Sequence, residues 1–284
     1  MTDVLTDRLQ ESTAKISLTF DRSIFILLVV FFLCSAFSIA LTQIGYFSAL
    51  TIWVGKMIYS RQFPWLRTPL DLFFLGYVAA EVLATLFAYN KAQSLLYLQR
   101  RLLLIPIVYV LVANLTSTKQ LKISVSAILL SAMGVALWSF GDLFTHLSEY
   151  LRFQRRLAEF QIYMTGGGIM MIAMLLLLPF VVHEETPVKI RSLALVSVIP
   201  LAANLLFTFT RSSWLGFIVG AIVIGVRRNK KLLVPLGVLV LAVFLFASPD
   251  IKERIYSMVD PYHPNNVTRL HMWETGLSMF LDHP

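Results

Sequence analysis

Charge is what this sequence has least of. Only 14% of its 284 residues are Asp, Glu, Lys or Arg, where soluble domains carry about a quarter. With 57% hydrophobic residues and a mean hydropathy of +0.74, the chain has too little polar surface to coat a water-facing globule. Cysteine is nearly absent: Cys34 stands alone, so no internal disulfide can form and the residue is silent on redox compartment. The signatures of soluble catalysis are missing as well, with no GxxxxGK, no HExxH and no CxxC pair. His146, His183, His263, His271 and His283 are scattered without metal-ligand spacing, and no metal or cofactor is inferred. Repeats, low-complexity tracts and a separate soluble domain are also lacking.

What remains is long apolar runs. Ser23 to Gly55 is 33 residues without a charge. That is too long for the core of a cleavable signal, so it reads as an uncleaved start. Each later run is near the ~20 residues a bilayer-crossing helix needs. Membrane barrels are excluded, because their strands read as short alternating segments. The pattern predicts an all-α integral membrane protein of about nine transmembrane helices. They fall near 24–41, 43–59, 70–89, 96–115, 121–141, 162–182, 190–210, 212–227 and 232–248, with Gln43 and Gly45 marking the turn between the first two. Residues 1–23 form a polar N-terminal segment, 24–248 the membrane domain, and 249–284 the start of a large loop beyond it.

Lysine and arginine favour cytoplasmic loops. With the N-terminus inside, the inner segments hold Arg8, Lys15, Arg22, Lys56, Arg61, Arg67, Lys119, Lys122, Lys189, Arg191, Arg227, Arg228, Lys230 and Lys231, which are 14 of the 24 basic residues. The run RRNKK at 227–231 weighs most. Nine spans then place 249–284 outside the cytoplasm, with Arg211 at the outer end of a tight helix–helix turn. The other basic residues are Lys91, Arg100, Arg101, Arg152, Arg155, Arg156, Arg211, Lys252, Arg254 and Arg269. They fall on the outer face, where the charge rule disfavours them. An anionic substrate at that face would account for their presence. For Arg100 and Arg101, snorkelling to lipid headgroups is the simpler explanation. Net charge is +8, but it is spread over loops, and no nucleic-acid partner is inferred.

Two outer segments have their own pattern. DLFTHLSEYLRFQRRLAEF (142–160) spaces Leu143, Leu147, Tyr150 and Leu151 as one helical face, which predicts an interfacial amphipathic helix. In NVTRLHMWETGLSMFLDHP, Leu270, Trp273, Leu277 and Phe280 make an apolar stripe opposite His271, Thr275, Ser278 and Asp282. Gly166-Gly167-Gly168 opens a span and permits close packing or a kink. Gly216 and Gly220 form a GxxxG helix-contact spacing. Glu81 lies deep in the third span, where a carboxylate is either functional or a neutral hydrogen-bonded structural group; Asp71 lies at its inner edge.

FTFTRSSWLGF at 207–217 contains the one charge between Ser192 and Val226. Arg211 has 19 uncharged residues before it and 15 after, and no carboxylate near in sequence. A guanidinium stays charged in a protein and offers a planar fork of donors that fits phosphate oxygens. A lipid-borne phosphate would suit it; so would a snorkelling position at a turn, and side-chain chemistry leaves the two even. The order of features decides further. TFTRSSWLG after an apolar helix, then a basic cluster, one more span, and an outer loop with R…W……DHP resembles the O-antigen ligase family, which includes O-antigen polymerases and protein O-oligosaccharyltransferases. The likeness runs from PLDLFFLGY onward and is best over 205–284.

The resemblance implies a metal-independent, multi-pass inner-membrane glycosyltransferase of lipopolysaccharide or polysaccharide biosynthesis. Its donor is a glycan on undecaprenyl diphosphate. Its acceptor is a hydroxyl of lipid A core, a growing polysaccharide or a protein. The acceptor oxygen attacks the anomeric carbon and the lipid diphosphate departs, so cations are required where charge develops. By position, the resemblance assigns diphosphate binding to Arg211, Arg254 and Arg269. Trp273 either stacks on a sugar or packs the loop helix on the membrane domain. The catalytic base is not assigned: family members continue past Asp-His-Pro with a glycine-rich stretch, a loop histidine and further helices, and neither His271 nor His283 is that histidine. The chain is therefore expected to be the N-terminal part of a longer protein. A transporter or flippase of polyanionic lipid-linked glycans, and a scaffold subunit of an envelope machine, are the alternatives. Transporters more often show repeats and broken helices.

Overall fold

The computed structural model describes residues 2–61, 67–152, 160–246 and 249–282. Regular structure among the described residues is helical throughout: α1 (Thr2–Cys34), α2 (Ile39–Ser60), α3 (Asp71–Leu86), α4 (Lys91–Leu102), α5 (Pro106–Asn114), α6 (Thr118–Thr145), α7 (Leu147–Arg152), α8 (Tyr163–Val182), α9 (Val188–Phe207), α10 (Arg211–Arg228), α11 (Leu233–Phe246), α12 (Pro249–Val259) and α13 (Pro264–Asp282), with a 3₁₀ turn at Lys230–Leu232. The chain is an all-α membrane protein. Among the described residues five stretches are long and apolar enough to cross a bilayer: Ile16–Cys34, Lys91–Asn114, Thr118–Thr145, Tyr163–Val182 and Val188–Phe207. The expectation of nine spans goes beyond this. The third and ninth predicted positions are occupied by α3 and α11, which hold 16 and 14 residues, short of the ~20 a perpendicular crossing needs.

Two boundaries differ from expectation for identifiable reasons. Gln43 and Gly45 lie inside α2, and the turn falls earlier, where the Cys34 carbonyl accepts from the amides of Phe37 and Ser38 at 3.0 Å. Gly45 serves packing instead: a Cβ there would stand 3.0 Å from the Phe31 amide nitrogen of α1. The single helix expected over 96–115 is two helices. Pro106 has no amide to donate, and the chain tightens before it. Leu104 and Ile105 donate to the carbonyls three residues back, Arg101 and Leu102, at 3.1 and 3.2 Å, and the Tyr46 hydroxyl donates to the Leu103 carbonyl.

The chain divides into two units, residues 1–32 with 40–124 and residues 33–39 with 125–284. The first has a small core of Ile24, Leu28, Ala49 and Val110, all fully buried, from α1, α2 and α5. Glu81 on α3 pairs there with Arg101 on α4, Oε1 to Nη1 2.5 Å. The deep carboxylate is thus matched by one of the two arginines expected to snorkel. Asp71 accepts from the Thr68 amide at 3.0 Å and the Tyr109 hydroxyl at 2.9 Å.

The second unit packs α8, α9 and α10 around Ala173, Leu201 and Ala221, which are fully buried. Gly216 and Gly220 face Met171 and Leu175 of α8 so closely that a Cβ at either would overlap those side chains. The GxxxG spacing is therefore a helix contact, as small residues at such spacing permit. The Asn204 amide of α9 donates to the Ala136 carbonyl of α6 at 3.0 Å, keeping a buried polar group satisfied. The amphipathic segment at 142–160 is used differently from expectation. Leu143 and Tyr150 are buried, at 5% and 1% exposure, in this unit's core, and the Tyr150 hydroxyl donates to Asp142. These two positions of the face meet protein, while Leu147 on the same face is 44% exposed. Arg155 and Arg156 lie outside the described residues.

Candidate functional site around Arg211

The turn between α9 and α10 is built from the hydroxyl-rich stretch Thr208–Ser213. The Thr208 hydroxyl donates back to the Leu205 carbonyl at 2.8 Å, and the Thr210 hydroxyl donates to the Tyr163 carbonyl of α8 at 3.2 Å. Trp214 donates its ring N–H to the same Leu205 carbonyl at 2.8 Å, which draws the first turn of α10 onto the last turn of α9. The two bonds to Leu205 satisfy a carbonyl in the last turn of α9, which a helix end leaves without an intrahelical partner.

Phe209 has φ 49°, left-handed backbone that costs a non-glycine residue about 1–2 kcal/mol. Its ring is 2% exposed and sits between Phe207 and Trp214, with centroids 6.1 and 6.3 Å away. Burying a phenylalanine contributes about 1.5–3 kcal/mol, so burial offsets the strain. Beneath the turn lies Gly167, where a Cβ would stand 3.0 Å from both the Ser213 and Thr208 hydroxyl oxygens. A side chain there would force the turn's hydroxyls to shift on α8.

This construction fixes where Arg211 begins. Arg211 is the first residue of α10 and is half-buried. Its Nη1 donates to the backbone carbonyl and, at 3.2 Å, to the hydroxyl of Ser257 on α12. Ser257 is 3% exposed. The same carbonyl accepts from the side-chain amide of Asn266 on α13 at 2.7 Å, and that amide also reaches the Asp260 carbonyl at 2.7 Å. One carbonyl oxygen thus joins the arginine turn to both helices of the following segment.

The predicted residues fall on this arrangement unequally. Arg211 is joined to the 249–282 segment directly. Arg254 lies three residues before Ser257 on α12, and Arg269 three residues after Asn266 on α13. Residues three apart share a helix face. The Arg254 side chain lies outside the described residues, and Arg269 is exposed. Trp273 is 73% exposed, so the packing role expected for it is not seen, and its ring is open. Lys252 has a local partner: its Nζ donates to the Leu245 carbonyl at 3.0 Å, near the end of α11, where a cation is favoured.

Ser257 and Asn266 were not expected from sequence. A serine and an asparagine in a polar stretch carry no spacing signal, and their part depends on a contact 46 residues away. A cavity of about 30 Å³ lies beside the turn, lined by Ser139, Gln161, Asn204 and Thr208 among others. That is room for about a water molecule, too little for a sugar ring.

No curated protein and no solved structure matches the chain. Residues 195–284 match the family model described as O-Antigen ligase. The matched span holds α10, α11, α12, α13 and most of α9, and with them every residue named in the Arg211–Ser257–Asn266 junction. The family finding and the resemblance of TFTRSSWLG and the outer loop therefore converge on one place: the C-terminal portion of this chain is similar to the O-antigen ligase family.

Proposed function

We propose that the protein transfers a glycan from undecaprenyl diphosphate to an acceptor hydroxyl at the outer face of the inner membrane, with Arg211 holding the diphosphate. The observation that carries this reading is the placement of Arg211. It starts an 18-residue helix, whose N-terminus bears a partial positive charge. Arg211 adds a full one, and the local field favours an anion. Its backbone is fixed by the hydroxyl-bonded turn and its guanidinium is aimed at the 249–282 segment, within the residues that match the family.

The chemistry asked of these residues is electrostatic. When the acceptor oxygen bonds to the anomeric carbon, the bond to the diphosphate oxygen breaks and charge grows on the leaving group. A guanidinium already turned to the bound diphosphate stabilises that charge without reorganising during the step. Arg254 and Arg269 serve the same group from α12 and α13. Trp273 offers an open ring to a sugar face. The acceptor is lipid A core, a growing polysaccharide (an O-antigen polymerase) or a protein. The nine-span topology with residues 249–284 outside the cytoplasm and 227–231 inside belongs to this reading.

The interruption at 103–105 is a feature also found in transporters, so the test separates the two. Protein in native membranes receives a defined lipid-diphosphate glycan and an acceptor, without metal or nucleotide. Transfer is expected, and neutralising Arg254 or Arg269 together with Arg211 is expected to cost less than the separate losses combined, as for residues serving one group. Lipid crossing the bilayer with no glycan transferred would overturn the proposal in favour of a flippase.

A further inference from the structure

Asn266 occupies a chemically unusual place. Its side-chain amide spans two carbonyls at the end of α12, Ser257 and Asp260, each at 2.7 Å. Carbonyls at a helix end lack intrahelical partners. The Ser257 oxygen has two lone pairs, and in this structure both have a donor: Asn266 from α13 and Arg211 from α10. The corner between α12 and α13 is closed locally as well, with the Asp260 carboxylate accepting from the Tyr262 amide at 2.9 Å and the His263 carbonyl from the Asn266 amide at 2.7 Å.

From this geometry we infer that Asn266 is a positioning residue for Arg211. It holds the Ser257 carbonyl at the angle that receives the guanidinium, so that the α12–α13 corner and the α9–α10 turn keep one register. The inference rests on the reading of Arg211 as the diphosphate ligand and extends it to a residue that touches no substrate. It also gives the corner a definite task. Arg254 and Arg269 stand three residues from Ser257 and Asn266 on their own helices, and a fixed corner fixes their backbones relative to Arg211. When a diphosphate draws the guanidinium away, the Ser257 carbonyl still has Asn266, so Arg211 can turn to a ligand without leaving a buried acceptor unpaired.

Two substitutions separate this role from simple helix stability. Asn266 is the third residue of α13, where an acidic side chain favours the helix through its dipole. If Asn266 only supports α13, Asn266→Asp should be at least as good as Asn266→Ala. If its amide donors hold two carbonyls, the carboxylate repels both and Asn266→Asp is the worse. The experiment measures glycan transfer from undecaprenyl diphosphate by the protein in native membranes, at equal abundance. The variants are Asn266→Ala, Asn266→Asp, Arg211→Ala and the Arg211→Ala/Asn266→Ala pair.

The expected result is a loss of roughly three- to tenfold for Asn266→Ala, a larger loss for Asn266→Asp, and a double variant no worse than Arg211→Ala alone. Thiol labelling gives a second measurement where activity is too low to read. In a Cys34→Ala background, Ser257→Cys, at a buried position, should label slowly, and Asn266→Asp should speed it. Wild-type transfer by both Asn266 variants while Arg211→Ala fails would overturn the inference and leave the proposed function standing. So would equal losses for Asn266→Asp and Asn266→Ala, or losses additive with Arg211→Ala. Wild-type transfer by Arg211→Ala would instead overturn the proposed function, and this inference with it.

Discussion

Replacing Arg211 by alanine removes two contacts whose consequences have different sizes. The first is internal: the guanidinium leaves the Ser257 carbonyl and hydroxyl. Because Asn266 still occupies that carbonyl, no buried acceptor is orphaned, and because Arg211 is only half-buried, solvent screening should keep the stability loss at about 1 kcal/mol. The second is the charge-assisted contact to the donor diphosphate, about 1.5–3 kcal/mol, which is a drop of roughly tenfold to 150-fold in transfer. Activity should therefore fall much further than stability. Arg211→Lys should recover only part of it, since a point charge cannot reproduce the bidentate fork. The assay is glycan transfer from a lipid-diphosphate donor at matched membrane abundance, alongside thermal unfolding in detergent. Wild-type transfer by Arg211→Ala would refute the reasoning and return the residue to a snorkelling turn position. A loss of activity only in proportion to a large loss of stability would refute it too, because the guanidinium would then be a structural tie.

Two further outcomes test the membrane placement. Tyr262 is 85% exposed, which makes it a better outer probe than the buried Ser257; Tyr262→Cys in a Cys34→Ala background should label from outside and Asn229→Cys should not, and the reverse pattern would overturn both topology and site. Glu81→Gln should lower membrane accumulation by removing the carboxylate that pairs with Arg101, and Glu81→Gln with Arg101→Gln should restore most of it; an uncorrected double variant would show that the pair does not support the fold.

Much of the fold was legible because apolar runs in a chain so poor in charge leave few choices. Helices stand at every position where a run predicted one, and the exceptions have local causes. Pro106 opens the second of the two helices that divide the 96–115 run, yet Pro179 and Pro200 sit inside unbroken α8 and α9, so a proline alone does not announce a break. Gly45 was read as a turn because glycine usually punctuates a sequence; here it lets α2 approach the backbone of α1. The stripe at 142–160 had the right period but not a destination, since periodicity identifies a buried face and not what buries it. Leu143 and Tyr150 went into protein. Of the glycines that sequence marks for close packing, Gly167, Gly216 and Gly220 do pack closely, while Gly166 and Gly168 face open space; sequence could not say that Gly167 packs on the very turn that carries Arg211.

The site was legible in its charges and hidden in its neutral groups, and the difference is physical. An arginine among 35 residues otherwise uncharged is conspicuous because burial makes charge expensive, so its presence asks for a cause wherever it lies. The residues that give Arg211 its direction are a backbone carbonyl, a serine hydroxyl and an asparagine amide. A backbone carbonyl belongs to every residue and leaves no mark in a sequence. Serine and asparagine are common enough in polar stretches to leave almost none. What the fold adds is register. With Ser257 and Asn266 meeting at one oxygen, Arg254 and Arg269 each stand one helical turn from the contact that Arg211 makes. Under the proposed function, the three arginines that resemblance groups have backbones set near one contact. That contact is carried by two residues that bear no charge, and it is at Asn266 rather than at any arginine that positioning and ligand binding can be separated.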